Sequence, residues 1–355
     1  MAPGNLILRL LVVFLIQMHF SRVVLETEGR DLTDVFTTSA GPFGDFGGGA
    51  LARGEPSAEA CIPVEDILIG ADIDFQSGAH LLMLGGLESV QREGGDDIGV
   101  FAGTSAGAIV AYVGALKTVR AHDVLNYIVD NPPYKLRSLN INNLLTRFGL
   151  DDGEKLFSYL ATMFDSLAAG SSHMTFRQLR ARTGNVLRVA AVCTTTSSLD
   201  IFDCERSPEC VVMDAIRASC CVPLYFTPHR IGGRLYVDGG LLAYYPHSLL
   251  DDLPEEQRLA VFVGVTDAGP ESTGGGFDDL AAHVYKLSRI ACTAKELEAI
   301  SNVGWILVLP PDARCGGKLS LHPDPEPLRA AFSEALEATS AFIHERWGAP
   351  KTKRD

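Results

Sequence analysis

Residues 97–116 read DIGVFAGTSAGAIVAYVGAL, and this stretch narrows the folds open to the chain more than any other. DIGVFAG (97–103) is an apolar run of buried-strand length, and AGAIVAYVGAL (106–116) is a helix of small and apolar residues. Between them, GTSAG fits the Gly-x-Ser-x-Gly elbow, a turn so sharp that Cβ atoms at Gly103 and Gly107 would clash. The geometry leaves the Ser105 oxygen exposed at a helix N-terminus, where backbone amides favour developing negative charge. Ser105 therefore has two readings, a nucleophile or a small residue in a tight turn. Either way, a strand, a turn and a helix in that order belong to a parallel sheet covered by helices.

The same alternation recurs along the chain. DILIGA (66–71) reads as a strand, and Leu81, Leu84, Leu87 and Val90 then recur at helical spacing from 78 to 92. NVLRVAAVCTT (185–195), GRLYVDGG (233–240), LAVFVGVT (259–266) and WILVLPP (305–311) are further strand candidates. A polar, helix-rich stretch from 121 to 183 is an excursion away from the sheet. The expected fold class is α/β, with a mixed, mostly parallel central sheet, in a domain over 61–345 followed by a tail at 346–355. Ahead of it lie an apolar segment, 1–36, and a Gly-rich linker, 37–60. GPESTGGGF (269–277) lacks the Gly-Lys-Ser/Thr ending of a phosphate loop and reads as a surface linker.

The apolar run from Leu10 to Ile16, behind Arg9, has the length of a signal-peptide core and is too short to span a bilayer unaided. No clean small-x-small site follows, so a secretory signal, a membrane anchor and an ordinary buried element all fit. Localisation stays correspondingly open between the secretory pathway, a membrane and the cytoplasm. A formal net charge of -14 argues against nucleic acid, and against an anionic membrane held by general electrostatics. Lipid contact would have to be local and apolar. The eight cysteines form neither a CxxC pair nor a zinc pattern, and no metal is expected. Cys220 and Cys221 read as buried small hydrophobes; Cys204 and Cys210 flank a Ser-Pro turn and would bridge only in an oxidising compartment.

A serine hydroxyl is a weak nucleophile and needs a base within hydrogen-bond reach. None of the nine histidines sits in a Gly-bracketed strand-end loop, His229 and His247 coming nearest. Asp238 in YVDGG is the better candidate, a carboxylate ending an apolar strand before Gly239 and Gly240. Desolvation there would make it a stronger base than in water. An ordinary Asp-Gly turn is the other reading.

GTSAGAI (103–109), AIRASCCVPLYF (215–226) and YVDGGLLAYYP (236–246), in that order and spacing, resemble the patatin-like phospholipases, with weaker echoes at GLDDGEKL (149–156), TFRQLRARTG (175–184) and LRVAAVCTTT (187–196). The resemblance implies a patatin-type α/β/α sandwich and a Ser-Asp dyad. Ser105 would attack an ester carbonyl, Asp238 would accept its proton, and water activated by Asp238 would release the acyl group. No cofactor is implied. The implied partner is a lipid or phospholipid substrate at a membrane or lipid interface, and Leu82, Tyr225, Phe226, Tyr244 and Tyr245 are the residues expected to line an acyl channel.

The chain departs from the family at the Gly-Gly-Gly-x-Arg/Lys-Gly loop that forms the oxyanion hole. Here IGADIDFQSGAH (69–80) keeps Gly70 but places Ala71, Asp72 and Asp74 where glycines and a basic residue are expected. The oxyanion-donor candidates are thus the amides of Gly70, Ala71, Asp72 and Ile73, with Ala106 after the nucleophile. The family's Asn after Asp-Gly-Gly is also replaced, by LLAYYP. Two classes of function follow: a lipid acyl hydrolase with an altered oxyanion hole, or a catalytically impaired lipid-binding or scaffold protein on the same fold.

Overall fold

A computed structural model describes residues 66–71, 79–93, 98–133, 136–264, 300, 303–310 and 325–348, all within one unit, Glu59–Asp355. The expected apolar segment, the Gly-rich linker, the 269–277 linker, and Asp72 and Ile73 of the oxyanion loop lie outside these residues.

The parallel core of the sheet comes from the apolar runs. β1 (Asp66–Ala71) and β2 (Val100–Ser105) pair in parallel, Asp66 opposite Val100 through Ala71 opposite Ser105. β9 (Arg258–Val263) pairs with the other edge of β1, and β10 (Ile306–Leu309) with β9, both in parallel. β4 (Val186–Cys193) runs parallel to β2. β5 (Ser198–Phe202) and β8 (Arg234–Asp238) pair antiparallel to β4, and β7 (His229–Ile231) forms a hairpin with β8. The sheet is mixed and mostly parallel, as expected. β3 (Gly149–Asp151) and β6 (Leu224–Phe226) form a separate parallel pair.

Helices connect these strands: α1 (Ala79–Glu93), α2 (Ala106–Ala115), α3 (Ala121–Asp130), α4 (Ile141–Arg147), α5 (Glu154–Leu167), α6 (Phe176–Thr183), α7 (Val212–Ser219) and α8 (Pro325–Trp347). α8 ends at Trp347, inside the stretch expected to be tail. Alternation along the strands splits the core in two. Phe101, Leu187, Val189, Ala191, Leu259 and Val261 join one apolar cluster with α1, α2, α5, α7 and α8. Val100, Ala102, Ala190, Ala260 and Phe262 point into a second, with Trp305, Leu249 and Leu250. Among the described residues, no helix is long and apolar enough to cross a membrane.

The partners of β4 explain where the site forms. A strand has two edges, yet β4 has three partners. β5 spans Val189 to Cys193, overlapping the register of β2 at Val189 and Ala190 and that of β8 from Ala191 to Cys193. Two partners at one residue must lie on opposite edges, so β2 and β8 share the edge that β5 does not use. They follow each other along it, with Thr104 opposite Ala190 and Asp238 opposite Ala191. The C-terminal ends of β2 and β8 meet tip to tip.

Candidate active site

Ser105 and Asp238 occupy those two tips. Sequence reasoning expects them at the ends of neighbouring strands, but β2 and β8 do not pair; β4 is the neighbour they share. The Ser105 Oγ donates to Asp238 Oδ2 at 2.6 Å. Asp238 Oδ1 accepts the Gly240 N–H at 2.8 Å, and the Asp238 N–H donates to the Cys221 carbonyl at 2.9 Å. One carboxylate oxygen is thus held by the turn while the other faces the serine.

The backbone at Ser105 is strained, with φ 58 and ψ -127, a conformation that L-residues rarely adopt. Its neighbours permit it. A Cβ on Gly103 would lie 2.4 Å from the carbonyl carbon and oxygen of Gly107, and one on Gly239 would lie 2.5 Å from the Ala190 oxygen. Ala106 and Gly107 open α2, so their amides have no acceptor within the helix.

The handover from β2 to β8 also interrupts the ladder, and buried backbone groups need partners. Ser219, at the end of α7, supplies them: its Oγ accepts the Ser105 N–H at 2.8 Å and donates to the Ala190 carbonyl at 2.6 Å. Sequence reasoning missed this residue. The available signal was a lone hydroxyl in the apolar run ASCCVP, where a buried serine has to be satisfied.

Ser105 and Asp238 are both fully buried. The elbow pattern predicts an exposed serine oxygen; here the second strand tip and α7 close over it. Burial dominates the local electrostatics. It pushes the Cys220 thiol well above its ordinary range, with the Asp238 carboxylate adding to the shift, and pushes Cys221 up to about 12. Both thiols are protonated at neutral pH. Cys204 and Cys210 are free, so the bridge weighed across the Ser-Pro turn is not formed.

Neither histidine weighed as a base is paired with the serine. His229 Nε2 contacts Asp214 Oδ1 at 3.2 Å, and His247 Nδ1 faces the Tyr245 carbonyl at 3.0 Å. Gly70 and Ala71 are level with Thr104 and Ser105, which brings the backbone of the β1 tip beside Ser105. The residues expected to line one channel divide between the two faces of the sheet. Leu82 and Phe226 belong to the larger cluster, with Tyr225 against it, whereas Tyr244 and Tyr245 pack in the smaller one, Tyr245 against Phe262 at 4.9 Å. Among the described residues no group of three His, Cys, Asp or Glu side chains is arranged to hold a metal ion.

This arrangement, an elbow serine bonded to the aspartate of a Gly-Gly turn, coincides with a family match. Residues 77–251 fit the model described as patatin-like phospholipase, and the chain carries a domain of that family. Among individual relatives, a probable lipid hydrolase, 463L, of Invertebrate iridescent virus 6 is 26% identical over 155 residues, 42% of this chain and 52% of that protein. The match thus spans about half the length of that relative. An uncharacterized NTE family protein of Mycobacterium tuberculosis is 38% identical over 56 residues, 16% of each chain. Among solved structures, VipD from Legionella pneumophila aligns at 14% identity and TM-score 0.48, covering 80% of this chain and 67% of its own.

Proposed function

We propose that this protein is a lipid acyl hydrolase that cleaves acyl esters, of the phospholipase A or acylglycerol esterase type, through an acyl-serine on Ser105 with Asp238 as the base. The observation that carries the reading is the buried 2.6 Å hydrogen bond between Ser105 and Asp238 at a strained elbow within a patatin-like domain. As Ser105 Oγ bonds to the ester carbonyl carbon, its proton passes to Asp238 Oδ2. The tetrahedral intermediate collapses, the proton moves to the leaving alkoxide, and the alcohol departs. Water then attacks the acyl-serine, Asp238 takes its proton, and collapse returns a proton to Ser105 and frees the carboxylic acid.

The developing oxyanion takes hydrogen bonds from the Ala106 amide and from the β1 tip, where Gly70 and Ala71 stand beside the elbow and Asp72 and Ile73 follow in sequence. Only backbone amides are required there, so the lost glycines change the loop without removing its donors. The catalytic domain is assigned to 61–345, and its substrate is presented at a lipid interface. The departure of the β1 tip from the family's glycine pattern favours a second reading, an impaired lipid-binding protein on the same fold.

Fatty-acid release from mixed phospholipid and diacylglycerol vesicles, measured beside folded Ser105→Ala and Asp238→Ala variants, separates the two. Release by the wild type and its loss in both variants is expected. A wild type no faster than its variants on any lipid supports the binding reading.

A further inference from the structure

Helix α4 departs from the rule that apolar side chains pack inward. It buries none of its residues. Of the large apolar side chains that are exposed among the described residues, Leu139, Ile141, Leu145 and Phe148 all belong to this helix or its flanks; the others are Leu242 and Val308. Ile141, Leu145 and Phe148 recur at helical spacing and form one stripe.

Folding does not need this stripe. The helix is started by Asn140, whose side chain accepts the Asn142 N–H at 2.9 Å and whose own N–H donates to the Leu150 carbonyl at 2.7 Å. At the other end Phe148 adopts the left-handed conformation, φ 65, that usually falls to glycine, and it does so while 60% exposed. An aromatic held out into water at a strained helix end has no partner role inside the fold, and clustered exposed apolar groups mark a docking surface.

Charge selects what docks. The chain carries 44 acidic against 30 basic residues, yet none of the acidic ones falls between Asn131 and Leu150, where Lys135, Arg137 and Arg147 do. Arg147 is exposed in the last turn, next to Phe148. Apolar side chains beside basic ones, in a stretch free of acids, complement an anionic lipid surface: the apolar groups enter the acyl boundary and the guanidinium meets phosphates. The helix is carried on elements that frame the dyad. It leads into β3, β3 pairs with β6, and Cys221, shortly before β6, accepts the Asp238 N–H.

We propose that α4 docks this protein on anionic phospholipid membranes, with Ile141, Leu145 and Phe148 entering the bilayer and Arg147 at the head groups. The inference deepens the lipid-hydrolase reading and rests on it for its purpose. The first arm uses the full-length Ser105→Ala protein, which consumes no lipid, co-sedimented with phosphatidylcholine vesicles with and without phosphatidylserine. Adding L145D/F148D is expected to weaken binding at least about tenfold, and adding R147E to weaken it only where phosphatidylserine is present, in a salt-dependent way.

The second arm keeps Ser105 and compares hydrolysis of vesicle lipid with that of a water-soluble short-chain ester. L145D/F148D is expected to lose the first and keep the second, which also shows that the variant folds. Failure of the wild type on both substrates sinks the hydrolase reading while the co-sedimentation still decides docking. Absent vesicle binding, or binding equal in all variants, overturns the docking proposal. So does a self-association that L145D/F148D abolishes while vesicle binding is unchanged.

Discussion

β1 and β2 run side by side and in register, Ala71 level with Ser105, yet their tips are specified in different ways. At the β2 tip, side-chain identity is dictated by contact. Gly103 and Gly239 have backbone where a Cβ would go, Ser105 holds a strained conformation, and Ser219 fills the break in the ladder. The β1 tip runs level with Ser105, while its sequence has Ala71 and Asp72 where the resembled motif has glycines. The difference follows from what each tip offers a reaction. The elbow offers an oxygen on one side chain at one angle, whereas an oxyanion donor is a backbone amide, which every residue but proline carries.

The largest test of that contrast falls on the β2 tip. Gly103→Ala and Gly239→Ala should each destabilise the fold by about 3 kcal/mol or more, since the new methyl meets the Gly107–Ala108 backbone in the first and the Ala190 carbonyl and the β-branched Thr104 in the second. Chemical denaturation measures it, and a loss below about 1 kcal/mol would show that the elbow is not sterically locked.

The second test lies just past the β1 tip, in the first turn of α1. Burial lowers the His80 pKa to about 4, so the folded protein keeps this ring neutral where the unfolded chain protonates it. Between pH 6.5 and about 4 the unfolded state binds the extra proton, and stability falls as the pH drops through that window, then levels off below it. His80 as a residue is only half-buried, which limits the total to at most about 3 kcal/mol. Denaturation curves at stepped pH should show the slope, and His80→Gln should remove it.

The smallest expected effect is that of Ser219→Ala, which leaves the Ser105 N–H and the Ala190 carbonyl without the bridging hydroxyl, at about 1–2 kcal/mol. With Ser219 holding the Ser105 backbone on the proposed mechanism, kcat is expected to fall about tenfold or more with KM little changed. A loss confined to KM would contradict the positioning role.

Much of the sheet was legible in the sequence because its strands are continuous apolar runs. DILIGA forms β1 over the expected residues, and VFAGTS, VLRVAAVC and RLAVFV fall where strands are expected. The short β3, β5, β6 and β7 were not legible: none holds four consecutive apolar residues, as the equally short β10 does, or ends in an Asp-Gly-Gly turn, as β8 does. Ser105 stood out because glycines bracket it, and Asp238 because two glycines follow it. Their tip-to-tip meeting did not, because it depends on three registers along β4 that no local pattern encodes. Tyr244 and Tyr245 pack in a different cluster from Leu82 and Phe226 for a related reason: they follow a short helical turn, Gly239–Leu241, after which strand alternation no longer tells which face a side chain takes.

On the proposed mechanism Asp238 activates Ser105. Intact-mass measurement of fluorophosphonate labelling, timed for the wild type, Asp238→Asn and Ser105→Ala, tests it most directly. A single adduct on Ser105 is expected in the wild type, with formation slowed at least about a hundredfold in Asp238→Asn and none in Ser105→Ala. Labelling of Asp238→Asn at the wild-type rate, or no adduct on the wild type, would contradict it.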